Sequence, residues 1–162
     1  MSPDRYRAEA ESLLAKAREI SPGVRLIAER VDTGGAAAPL GDLVASILGT
    51  EGGGEGLVIV LGALRATEPE GPLATLECAV TPNLIERGVD ASKLMERVDR
   101  LGRNGSLGAT YAGRESGGDA ERANCVWGPG EASSLQAALG AVESLALAEI
   151  GIRKIDDAGS GR

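Results

Sequence analysis

Apolar residues recur along this chain with two different periods, and the alternation between them predicts the element order. In residues 4–20, Tyr6, Ala10, Leu13, Leu14, Ala17 and Ile20 fall at helical spacing in one stripe, with Ser2 placed as a cap and Pro3 at the first helical position. Ser21-Pro22-Gly23 stops that helix, and residues 24–31 read as a strand with Arg25, Glu29 and Arg30 among apolar positions. A turn at residues 32–35 leads to a short predicted helix at 39–48, with Leu40, Leu43, Val44, Ile47 and Leu48 on one face and Gly49 as its terminator. Residues 57–66 (LVIVLGALRA) are apolar almost without a break, as a central strand requires. Glu68-Pro69-Glu70-Gly71 is a turn, and residues 72–80 return as a hairpin partner. Ala74, Leu76, Cys78 and Val80 point one way there, and Thr75 and Glu77 the other.

The second half has a similar layout. Residues 90–101 predict a helix with Leu94, Met95, Val98 and Leu101 inward, Asp90 as N-cap and Gly102 as stop. After a turn at Asn104-Gly105, residues 106–115 and 121–127 predict a second hairpin around Ser116-Gly117-Gly118-Asp119. Leu107, Ala109 and Tyr111 share one side of its first strand, and Ala123, Cys125 and Trp127 one side of its second. Gly128-Pro129-Gly130 ends the sheet, and Ser133 or Ser134 caps a final helix with Leu135, Ala138, Leu139, Val142, Leu145 and Ala146 inward, closed by Gly151.

The resulting order, α-β-α-β-β-α-β-β-α, predicts an α+β fold: a mainly antiparallel sheet of about five strands (two hairpins plus one strand), with helices packed on one face. Residues 1–155 read as a single α+β domain and 156–162 as a frayed tail.

Composition narrows the chemistry. The chain has 162 residues and a net charge of −7, with no histidine, no phenylalanine and 2% aromatic residues, so its core must be aliphatic. The absence of histidine removes the Ser-His-Asp triad, the Cys-His pair and the HExxH zinc site. No P-loop pattern exists, and the glycines of the acidic loop at 49–56 precede a strand rather than a helix, which is the wrong context for a dinucleotide fingerprint and suits a flexible connection. The acidic charge and the three lysines, Lys16, Lys93 and Lys154, argue against nucleic acid as a partner. No apolar run is long enough to span a bilayer, and the N-terminus has no signal-peptide core. Cys78 and Cys125 are read as buried free thiols in a reducing cytosol, with a single disulfide between two strands as the alternative, and the expected location is cytoplasmic. Neither a cofactor nor a metal is expected. The carboxylates Glu68, Glu70, Glu77, Asp119 and Glu121 lie near the two hairpins, mostly at turns where solvation accounts for them.

Two features run against this plain background. Lys93, Arg97 and Arg100 stand at i, i+4 and i+7 on the helix at 90–101, with Arg103 just beyond, and form a basic stripe on an acidic protein. Glu96 and Asp99 interleave with it, so a solvated helix face is the competing account. Trp127 is the only tryptophan and ends a strand, where such a residue is either core edge or a binding hot spot.

The stretch GPLATLECAV, the helix ASKLMERVDRLGRNG, the hairpin LGATYAGRES…ERANCVW and the helix SSLQAALGAVESLALAEI together resemble, in layout, the small acidic chaperones of bacterial type III secretion and their relatives. The extra helix at 39–48, the glycine-rich loop and the scarcity of aromatic residues depart from that pattern. The resemblance implies a homodimer that binds a protein client and performs no catalysis. The expected function is therefore a cytosolic protein-binding module (chaperone-, adaptor- or immunity-like). Its expected partner contacts are Trp127, Tyr111, Arg97, Arg100 and Lys93. The alternatives are a histidine-independent enzyme using carboxylate, arginine or cysteine chemistry, and a small-ligand sensor with a pocket between sheet and helices.

Overall fold

The computed structural model describes residues 3–32, 38–65, 72–108, 111–129 and 131–160; the predicted turns at 32–35 and 68–71 and the position of Ala109 lie wholly or partly outside them. Side chains are described within the same limits, except those of residues 3–5, 38–39 and 152–160. The elements are α1 (Pro3–Ala15), β1 (Arg18–Ser21), β2 (Val24–Arg30), α2 (Ala38–Leu48), β3 (Leu57–Arg65), β4 (Leu73–Val80), α3 (Pro82–Glu86), α4 (Ala91–Arg103), β5 (Ala112–Gly118), β6 (Arg122–Gly128) and α5 (Ala132–Ser160). The fold is α+β, and the predicted element order holds with two short additions, β1 and α3.

The sheet has six strands, in the order β1-β2-β3-β4-β6-β5. Four of its pairings are antiparallel, and β2 runs parallel to β3. Parallel neighbours need a crossover, and α2 with its flanking loops provides it. β1 replaces the predicted last turn of the first helix. Pro22 and Gly23 occupy the two central positions of a tight turn that pairs Ser21 with Val24, and Gly23 takes the positive φ of 77° that a type II turn demands.

Helices cover both faces of the sheet, not one. β3 shows why: seven consecutive residues, Leu57 to Ala63, are buried, so both of its faces need cover. Val58 and Val60 face α4 and α5, in a core with Leu26, Ala74, Leu76, Cys78, Val80, Ala123, Cys125 and Trp127. Leu57, Ile59, Leu61 and Ala63 face α1 and α2, with Ala10, Leu13, Leu40, Leu43, Val44 and Ile47. The predicted alternation of β4 and β6 is observed, and Thr75 and Glu77 lie on the α1–α2 face by register with Val126 and Asn124. At about 25 cal/mol per Å² of apolar surface, each fully enclosed leucine or isoleucine contributes about 1.5–3 kcal/mol of burial.

Three boundaries move for identifiable reasons. Gly102 does not stop α4; it lies inside the helix, and a Cβ there would run into the Tyr111 ring. The β5–β6 turn falls at 119–121, because the Asp119 carboxylate accepts the backbone N–H groups of Glu121 and Arg122, each at 2.9 Å. Gly118 therefore belongs to the strand, at a φ of 133°. Ser133 and Ser134 lie inside α5 rather than capping it, and the helix passes Gly151 and runs to Ser160 across the predicted tail.

Candidate functional site

The predicted contact residues fall into three different environments. Trp127 is fully buried; its indole N–H donates to the Ser134 hydroxyl at 3.1 Å, and its ring stacks on Tyr111 with centroids 5.6 Å apart. It is a core residue here, so this fold offers no Trp127 surface to a partner. Tyr111 is half-buried. Its hydroxyl donates to the Asp99 carboxylate, which also accepts from Arg103 Nε at 2.8 Å, and it stands 3.9 Å from Cys125 Sγ. Burial, and after it the hydrogen bond to Asp99, pushes the Tyr111 phenol upward.

The basic stripe of α4 is largely neutralised. Arg100 pairs with Glu96 at 3.2 Å and Arg103 with Asp99 at 2.8 Å, both one turn back. Arg97 turns inward, 3.9 Å from the buried carboxylate of Glu149 on α5. Lys93 is exposed on the first turn of the helix. This arrangement serves the coupling of α4 to α5 and to its own surface.

A different arginine occupies a position with spare capacity. Arg122 opens β6 on the α1–α2 face, opposite Ala79 of β4. One of its terminal nitrogens donates to the Gly41 carbonyl of α2 at 3.4 Å, a long bond, and its Nε is buried with no partner. A guanidinium has five N–H donors, and withholding acceptors from buried ones costs about 1–3 kcal/mol each. Arg122 borders a cleft of about 320 Å³ lined by Leu48, Gly54, Val80, Thr81, Pro82 and Glu121. Arg122 also borders a second, smaller cleft of about 190 Å³ with Glu77, Asn124, Gly117 and Gly118. Burial pushes the Glu77 carboxyl upward, and the nearby Arg122 charge opposes that shift.

The larger cleft has a firm frame. Thr81 Oγ1 accepts the Leu57 N–H at 3.1 Å and donates to Asn83 Oδ1 at 2.9 Å. Asn83 Oδ1 also accepts the Gly56 N–H at 2.9 Å. The loop at 49–56, whose composition suits a flexible connection, is held at several points. Thr50 binds back to the end of α2, and the Arg25 guanidinium donates to the carbonyls of Gly52 and Glu55. Gly53 is buried under Ile47. Gly56 takes a φ of 64°, and a Cβ there would lie 2.7 Å from the Gly23 carbonyl oxygen, so the position has no room for a side chain.

Both thiols are buried. Burial pushes Cys125 up to about 12, despite the Tyr111 hydroxyl, and pushes Cys78 upward as well. Among the described residues no group of three or more histidine, cysteine, aspartate or glutamate side chains is placed to hold a metal, and no helix is long and apolar enough to cross a membrane.

No family model and no curated protein matches the sequence. Among solved structures, the chain is similar to the DHH domain of a member of the S1p family of ribosomal proteins, with a TM-score of 0.48 and 13% identity. The match covers 85% of this chain and 30% of that one, so this chain spans less than a third of its neighbour's length.

Proposed function

We propose that the protein is a non-enzymatic binding module whose recognition site is the cleft at Arg122. The observation that carries this reading is the half-buried Arg122 guanidinium, with an unpartnered Nε and one long hydrogen bond, in the wall of a cleft of about 320 Å³. The Nε–H is enclosed and out of a ligand's reach, but among the described residues no acceptor engages the second terminal nitrogen, which is open to a ligand beside the one that makes the long bond to Gly41. The cleft volume is at the small end of ligand pockets, with a few polar groups set among apolar walls.

Two further observations favour this site over the other candidates. Among the described residues the large apolar side chain that is exposed is Leu147, at 38%, so an apolar client strip or dimer face has little to rest on. The upward-shifted thiols speak against cysteine nucleophiles, because the thiolate is the reactive form.

A thermal-shift screen of small carboxylates, amines and amino acids against the wild-type protein and Arg122→Ala tests the reading. A ligand that binds the native state raises the melting temperature. The expected result is a set of carboxylate hits that lose their shift in Arg122→Ala. Hits that shift both proteins equally place recognition elsewhere.

A further inference from the structure

The larger cleft brings together two charges of opposite sign that are neighbours in sequence. Successive residues of a strand point to opposite faces, so Glu121 and Arg122 would be separated if both lay in β6. They are not, because β6 begins at Arg122 and Glu121 still belongs to the turn organised by Asp119. Both residues therefore border one cleft. Among the described residues no ion pair joins them, and the Arg122 Nε is left unpartnered. The remaining walls are Leu48 from the end of α2, Val80 from the end of β4, and Pro82 from the start of α3.

This pattern sorts ligands by charge. A phosphate or dicarboxylate meets Arg122 favourably but brings its second charge toward Glu121, while Glu77 already shares the second cleft with Arg122. A simple amine satisfies Glu121 and leaves the Arg122 donors unpaired. A neutral apolar molecule leaves both charged groups desolvated and uncompensated, which costs free energy on both sides. A molecule carrying both signs answers each wall in turn.

We infer that the cleft takes a small amphoteric molecule, an aliphatic α-amino acid in chemical class. Its carboxylate lies against the Arg122 guanidinium, its ammonium against Glu121, and its side chain on Leu48, Val80 and Pro82. A planar guanidinium with unused donors matches a carboxylate in a two-bond geometry. The volume of about 320 Å³ suits a molecule of this size better than a nucleotide. The inference rests on the reading of the cleft as the recognition site and adds the class of its occupant.

Titration calorimetry with three matched probes tests it: L-leucine, leucinamide, which lacks the carboxylate, and 4-methylpentanoate, which lacks the ammonium. L-leucine is expected to bind the wild-type protein at least about tenfold more tightly than either analogue. Glu121 is exposed, so Glu121→Gln removes its charge and leaves the fold intact. In that variant the advantage of L-leucine over 4-methylpentanoate should fall to about twofold, while its advantage over leucinamide persists. In Arg122→Lys, checked for folding by circular dichroism, the advantage over leucinamide should fall instead. Equal binding of L-leucine and 4-methylpentanoate by the wild-type protein overturns the amphoteric class, as does failure of all three to bind. A carboxylate from the thermal-shift screen that still needs Arg122 would then leave the cleft itself standing as the site, whereas hits indifferent to Arg122→Ala remove both readings.

Discussion

The Glu149 carboxylate, on α5, accepts the backbone N–H of Asp90, the residue that caps α4, at 3.1 Å. In an ordinary capping box the third residue of the helix reaches back to the N-cap N–H. That position is Lys93 here, which cannot accept a hydrogen bond, and a carboxylate from another helix takes the role. The Asp90 side chain meanwhile accepts the Lys93 N–H at 3.1 Å and the Ser92 hydroxyl at 2.7 Å. Two helices separated by the second hairpin are thus locked together through one terminus.

This lock predicts a pH dependence. Burial raises the Glu149 carboxyl from 4.5 to about 7, against the lowering effects of the Asp90 N–H and of Arg97 and Lys93 from α4; the Asp90 charge adds to the rise. Between these two values the folded protein holds more protons than the unfolded chain. The stability that Glu149 contributes is therefore fully present below 4.5, declines as pH rises from 4.5 through 7, and is lost above. The slope contributed by one such group is at most about 1.4 kcal/mol per pH unit. Glu77, also raised, acts in the same direction. Asp90 is lowered overall: burial opposes the shift, but the Ser92 hydroxyl and the Lys93 and Ser92 N–H groups prevail, so its contribution is lost only in stronger acid. Urea denaturation across this range should show the decline in the wild-type protein and a flatter profile in Glu149→Gln. An unchanged profile in that variant contradicts the assignment.

A second prediction concerns Gly102 and Tyr111. The Tyr111 ring occupies the space a Cβ on Gly102 would need. Alanine normally favours a helix interior over glycine by about 1 kcal/mol. Here Gly102→Ala should instead destabilise by about 1–3 kcal/mol through overpacking. In the Tyr111→Ala background the same substitution should become neutral or stabilising. Denaturation midpoints of the four proteins check this, and a neutral Gly102→Ala in the parent refutes the contact.

The two thiols should be slow to react. With Cys125 pushed up to about 12 by burial and Cys78 also raised, labelling by a thiol reagent near neutral pH should await unfolding. Rapid labelling of either cysteine in the native protein contradicts the buried arrangement.

Trp127 donates its indole N–H to Ser134, which in turn donates to the Glu131 carbonyl at 2.9 Å. Ser134→Ala leaves a buried N–H unpaired and should cost about 1–3 kcal/mol. Measurement of unfolding free energy from Trp127 fluorescence reports it, and no loss of stability would mean that the indole has another acceptor.

The sequence pattern carries most of the scaffold and little of the site. The unbroken apolar run of β3, the alternation of β4 and the inward stripe of α4 all survive in the structure, because each is a long segment with a strong period. β1 is hidden because its four residues, REIS, are exposed or half-buried and carry no apolar alternation, while Ala17 and Ile20 continue the helical stripe. Cover on both faces has its signal in β3, whose odd and even positions are equally apolar. The rarity of Trp127 points to a hot spot, yet a chain with no phenylalanine has strong reason to bury its largest ring. Arg122 lies outside any motif; its signal is a charged residue opening a central strand, and its importance depends on α2 and α3, which arrive from elsewhere in the chain.

The claim that Arg122 is the recognition site is tested most directly by nuclear magnetic resonance of the ¹⁵N-labelled protein titrated with acetate, the smallest carboxylate probe. The Arg122 Nε–H resonance and the amides of Thr81 and Glu121 should move together and saturate. Saturable shifts confined to the α4 face at Lys93, Arg97 and Arg100, with Arg122 unmoved, would contradict the account.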